Sequence, residues 1–207
     1  DSSINVSTNN SHRFNMNFST NIDSLTYIEL KPNVNFDGAT TDNSSISEFI
    51  GEGYDRSLKT IIRNTTDSKG MTSNSEGLLR RKFKKPKREI ELKYIFNYSN
   101  NGTIGDLYNT STYDNTPVLD TNFQQRKNND NSSISHYGIL TYTEPITKKI
   151  KAQFEYLYEF GDMKQNKRTF DQNQTTGEFS IENTFFSNNF DNVRHQNRGT
   201  LIGVYED

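Results

Sequence analysis

The stretch KIKAQFEYLYEFG, residues 149–161, decides the fold. Ile150, Ala152, Phe154, Tyr156, Tyr158 and Phe160 fall on one parity. Lys151, Gln153, Glu155 and Glu159 fall on the other, with Leu157 the one apolar intruder. Side chains alternate between faces along a strand, whereas a helix repeats every 3.6 residues. This spacing therefore predicts a β-strand with one greasy and one charged side.

Working outward, the same period recurs. Ile90, Leu92, Tyr94, Phe96 and Tyr98 alternate with Glu91, Lys93 and Asn97. Ile28, Leu30, Val34 and Phe36 alternate with Glu29, Lys31, Asn33 and Asn35, although Pro32 removes a ladder donor there. Phe14, Met16 and Phe18 form a shorter set. Weaker candidates at 74–83, 134–143 and 193–205 bring the total to about seven strands, and no segment shows a helical apolar stripe.

Composition argues against an ordinary soluble core. Only 30% of the 207 residues are hydrophobic and the mean hydropathy is -0.93, which approaches the disordered range. Yet 14 Phe and 11 Tyr are present, and disordered chains are poor in aromatics. A strand wall with lipid on one face and water on the other reconciles the two facts. No run of 18 apolar residues exists, so no helix spans a membrane, but spanning strands need only about 9–11 residues.

The connections sort by length. Residues 20–25, 84–88 (KKPKR) and 144–148 (EPITK) are short, whereas 37–73, 100–133 and 162–192 are long and rich in Asn, Asp, Ser, Thr and Gly. Strict alternation of short and long connections is what an antiparallel up-and-down transmembrane β-barrel requires, with short periplasmic turns and long extracellular loops. The expectation is one all-β segment over residues 1–207. Phe14, Met16, Phe18, Ile28, Leu30, Ile90, Leu92, Tyr94, Phe96, Phe154, Tyr156 and Tyr158 face lipid, and loop aromatics Tyr108, Tyr113 and Phe123 are placed to contact a ligand.

No motif points to catalysis. GxSxG, P-loop and GxGxxG patterns are absent, and zero Cys removes thiol chemistry. His12, His136 and His195 are too far apart for a local metal motif, so neither metal nor cofactor is expected. Asp106, Asp114, Asp120 and Asp130 lack calcium-loop spacing and read as loop solubility. Glu155 and Glu159 lie about 13 Å apart along a strand, too far for a glycosidase pair. The basic cluster from Arg80 to Arg88 reads as a solvated turn with snorkelling stems, not a nucleic-acid patch, because the rest of the chain is net acidic.

Taken together, SHRFNMNFSTNIDSLTYIELKPNVNF, RRKFKKPKREIELKYIFNYS, the YTEPITKK turn, and the stretch from TTGEFS through SNNFDNVRHQNRGTLIG resemble the outer-membrane barrel region of TonB-dependent receptor-like proteins of Bacteroidetes type. Asn197-Arg198-Gly199-Thr200-Leu201 stands where that family tends to read NRAGL. The resemblance implies an outer-membrane location and lipid contact. It also implies a parent barrel of 22 strands with a plug, and import of an unknown ligand energised through TonB. The plug and the final strands would lie outside this chain, and the DSSINVSTNN start suggests a processed or excised piece. Two alternatives stay open: a small complete eight-stranded outer-membrane barrel with a structural or adhesin role, signalled by residues 1–8 pairing with 193–205, and a soluble all-β binding module.

Overall fold

Residues with polar side chains on both parities still form strand here, because each lane satisfies the backbone of the next. The computed structural model describes residues 1–50, 57–113 and 120–205, apart from the side chains of Ile50 and Ser57. Ten strands form one antiparallel sheet: β1 (Ser2–Asn15), β2 (Phe18–Asn21), β3 (Thr26–Lys31), β4 (Asn33–Ile50), β5 (Ser57–Lys82), β6 (Glu89–Tyr113), β7 (Thr121–Pro145), β8 (Ile150–Gln172), β9 (Phe179–Glu182) and β10 (Asn188–Tyr205). The order β1-β4-β5-β6-β7-β8-β10 is an up-and-down meander.

Register shows that the ten strands occupy seven lanes. Phe18 pairs with Leu30 and Phe14 with Val34, so β1/β2 and β3/β4 make one long hairpin in constant register. Its ladder is interrupted only where Pro32 lacks an N–H, and Met16 N donates to Pro32 O there at 3.1 Å. At the other edge, β9 and β10 both pair with β8, and residues 183–187 bulge between them. The expectation of about seven strands corresponds to these lanes.

The expected long loops are a correction. Residues 37–50, 57–73, 100–113, 121–133 and 162–172 continue as paired strand, leaving 51–56 and 114–119 outside the described residues and a tight turn at 173–178. Both faces of these extensions are mainly polar with scattered apolar residues on either side, so no sustained period-2 contrast marks them, and the cross-strand ladder decides. Their side chains pair across lanes: Ser11 Oγ donates to Asp37 at 2.6 Å, Arg13 Nε to Asn35 at 2.8 Å, and Arg63 makes a forked contact with Asp42.

The described residues build no second layer over the sheet. Among the described residues no hydrophobic side chain is buried. The accessible surface is 14417 Å², against about 9,900 Å² for a compact protein of this mass. Residues 2–15 do form a strand, but β1 pairs with β4, and β10 pairs with β8; neither outer edge pairs with the other. The pairing that signals a small closed barrel is therefore not made.

Candidate functional site

Residues directly opposite each other in an antiparallel ladder share a face, so the register can be read across the sheet. Leu79, Leu92, Leu140 and Tyr156 form one row across β5 to β8. Ser75, Phe96, His136, Phe160 and His195 form another, two same-face rows farther from the turns. Phe14, Phe18, Ile28, Leu30, Val34 and Phe36 join the same face through the first hairpin. Every strand residue expected to face lipid thus shares one surface, and Met16 sits in the break between β1 and β2. None lies beneath other side chains; Phe154 is 46% exposed, with Leu92, Tyr94, Tyr156 and Tyr158 similarly open.

The far boundary of this apolar band is aromatic. His136 lies between Phe96 and Phe160, at ring-centroid distances of 5.2 and 5.8 Å, and its Nδ1 is hydrogen-bonded to the Tyr94 hydroxyl. One row farther along, Asp162 replaces the aromatics on β8; beyond it come Asn100, Ser132 and Lys164. On β8 the band runs from Ile150 to Phe160, about 33 Å along the strand.

The opposite face is charged and internally paired. Arg80 contacts Glu91 at 2.6 Å, Lys93 meets Glu76 at 3.5 Å, and Lys31 meets Glu29 at 3.0 Å. Glu159 accepts from the Tyr137 hydroxyl at 3.2 Å and from Arg194 at 3.4 Å, and Glu155 lies 3.7 Å from Arg198. Each of the two glutamates has its own arginine, so they do not act as a carboxylate pair. Near the β2–β3 turn this face holds a polar hollow lined by Tyr27, Glu29, Arg80 and Lys82.

Three turns close the near edge: 22–25, 83–88 and 146–149. Asp23 accepts from the Leu25 and Thr26 amides at 2.7 and 2.8 Å, and the Leu25 N–H chiefly holds its carboxyl below the usual range. Glu144 receives Arg88 Nε at 2.6 Å, Lys85 Nζ at 2.6 Å and the Tyr142 hydroxyl at 2.7 Å. This binds turn 83–88 to the end of β7, and the hydrogen bond to Glu144 raises Arg88.

The three aromatics expected on ligand loops are on strands instead. Tyr108 lies on β6 on the same face as the apolar band, while Tyr113 and Phe123 lie on the opposite face of β6 and β7. They form no common platform. Tyr108 packs edge-on against Phe179, over which Arg126 sits at 4.7 Å while its guanidinium forks onto Asp106. Asp106 and Asp130 are strand residues; Asp114 lies outside the described residues.

Sequence reasoning missed a buried polar cluster under residues 183–187. Thr169 is fully buried; its amide donates to Ser187 Oγ and its hydroxyl donates to Phe186 O. Gln125 and Asn183 both donate to Asp171. No local signal marks it, because its members come from three distant segments. The histidines do not form a metal centre: His136 and His195 flank Phe160, and no group of three His, Asp or Glu occurs among the described residues. No family model and no curated protein matches the chain.

Proposed function

We propose that this chain is a length of wall from a bacterial outer-membrane β-barrel of the TonB-dependent receptor kind, contributing membrane-spanning strands and projecting ribbons. The observation that carries the reading is the uncovered, predominantly apolar face that crosses the seven lanes, with no buried hydrophobic residue among the described residues. Water makes such a surface costly at about 25 cal/mol per Å², and hydrocarbon does not. A band of about 33 Å along the strand stands about 25 Å tall at an ordinary barrel tilt, the height of the lipid-facing zone of such barrels. Aromatic side chains at its far boundary suit the headgroup level.

The opposite face supports the same reading, since a barrel lumen is polar and its charges pair with one another. Unpaired backbone along β1 and β10 calls for neighbouring strands, because hydrocarbon cannot satisfy an open edge. The remainder of a parent barrel would supply them, together with a plug. Import of a ligand driven through TonB belongs to that parent, and the ribbons beyond the band are where a ligand would first meet this segment. The reading assigns the chain no catalytic step, no cofactor and no nucleic acid.

The absence of cysteine makes a clean test possible. Single-cysteine variants Phe154→Cys and Gln153→Cys, each spin-labelled in lipid vesicles, should differ in their collision partners. Oxygen, which concentrates in hydrocarbon, should reach the label at 154, and a water-soluble nickel chelate the label at 153. Equal nickel access at both positions would overturn the membrane reading.

A further inference from the structure

The turn edge carries a charge imbalance that the wall reading does not use. Residues 83–88 and 146–149 hold six cations (Lys84, Lys85, Lys87, Arg88, Lys148 and Lys149) and no acid. The remaining residues, with 18 cations and 26 acids, sum to -8. The two turns are neighbours in the sheet, because β6 pairs with β7 and Lys85 Nζ reaches both Glu144 and Pro145 O, at 2.6 and 2.7 Å. Turn 83–88 is held in shape by Phe83 N to Arg88 O at 3.0 Å and Arg88 N to Lys85 O at 3.2 Å. The basic groups therefore sit on a preformed edge, and one carboxylate, Glu144, serves two of them.

A second feature accompanies the charge. Each of the three turns exposes one large apolar side chain: Ile22 at 62%, Phe83 at 38% and Ile146 at 60%. Water alone gives a tight turn no reason to present a hydrophobe beside lysines. An interface does, because the apolar group enters the acyl boundary while long cationic stems reach phosphate.

We infer that the turn edge binds anionic phospholipid headgroups of the adjacent leaflet, with Lys84, Lys148 and Lys149 as phosphate partners and Ile22, Phe83 and Ile146 as shallow anchors. This rests on the membrane reading above and adds the lipid class and the end of the sheet that meets it. Lysine ammonium groups on long flexible stems attract phosphate oxygens as point charges, and their attraction to an anionic surface weakens with salt.

The test compares the purified chain on phosphatidylcholine vesicles with the same vesicles containing phosphatidylglycerol, at low and high sodium chloride. Binding should be at least tenfold tighter to the anionic vesicles at low salt, and the preference should shrink as salt rises. The variant Lys84→Gln/Lys148→Gln/Lys149→Gln should lose the preference yet still bind neutral vesicles. Equal binding of the wild type to both vesicles would overturn this inference and leave the membrane reading standing; binding to neither would overturn both. Inorganic phosphate that competes at concentrations matching the lipid phosphate would mark a free-anion site and overturn the headgroup assignment. Should the triple variant fail to fold, the salt response of the wild type decides alone.

Discussion

Phe160 stands directly opposite His195 across the β8–β10 ladder, with ring centroids 5.0 Å apart. His136 on β7 packs against the other side of Phe160, so two histidines 59 positions apart flank one phenyl ring. On β8 this row is where the apolar run ends: Phe154, Tyr156 and Tyr158 lie on its turn side, and Asp162 and Lys164 lie beyond it, while Tyr98, Ile134 and Val193 carry the face one row farther on their own lanes. The boundary is made by residues from four lanes, and no one of them marks it alone.

Facing governs the first prediction. Phe154→Arg should cost about 2–4 kcal/mol in a bilayer if the residue sits near the midplane, and Gln153→Arg about 0–1 kcal/mol. Reversible urea unfolding in lipid vesicles, followed by circular dichroism, measures both. Similar costs would remove the assignment of the two faces.

Asp23 supplies a pH dependence. Its carboxyl is depressed, first by the Leu25 amide hydrogen bond, so the turn is stabilised when the carboxylate is ionised. That contribution is present above the ordinary carboxylate pKa and is lost as pH falls through the lower folded value. Amide exchange at Leu25 and Thr26, corrected for intrinsic rates, should therefore accelerate only in acid. In Asp23→Ala it should be fast at neutral pH as well.

Thr169→Val tests the buried cluster. The hydroxyl has no access to water and donates to Phe186 O at 3.3 Å, so its loss should cost about 0.5–1.5 kcal/mol. Exchange at Ser187 and Phe186 should rise while that in β6 stays unchanged. A variant as stable as the parent would show that the 183–187 bulge is held by other contacts.

Two glycines should respond oppositely to a methyl group. Gly177 closes the β8–β9 turn at φ +74°, where a Cβ costs about 1–2 kcal/mol, so Gly177→Ala should destabilise. Gly161 has extended backbone and nothing within 4 Å of an added Cβ, so Gly161→Ala should be neutral or slightly stabilising. Unfolding midpoints of the two variants, taken under one condition, decide it.

How much was legible follows from where sequence carries contrast. In β6 and β8 one parity is apolar and the other charged, so strand identity and facing could be read residue by residue. In residues 2–8, 37–50 and 57–70 Asn, Ser, Thr and charge dominate and the few apolar residues, such as Ile4, Val6, Ile46 and the adjacent Ile61 and Ile62, are too sparse for a sustained alternation, so the same strand geometry reads as loop. Tyr108 was misplaced for that reason: it belongs to β6, 10 residues past Tyr98.

The amino-acid order by itself determined that about seven strand segments near the turns exist, which parity is greasy where the pattern is strong, and that the turns at Asp23, Pro86 and Thr147 are short, because period and turn chemistry are local. Only the tertiary structure decided that β1 lies beside β4 and not β10. It also decided that Phe96, His136, Phe160 and His195 share a row, and that Tyr108 faces away from Tyr113 and Phe123. Those relations are set by ladder register, which couples residues tens of positions apart through backbone hydrogen bonds that any side chain can accompany.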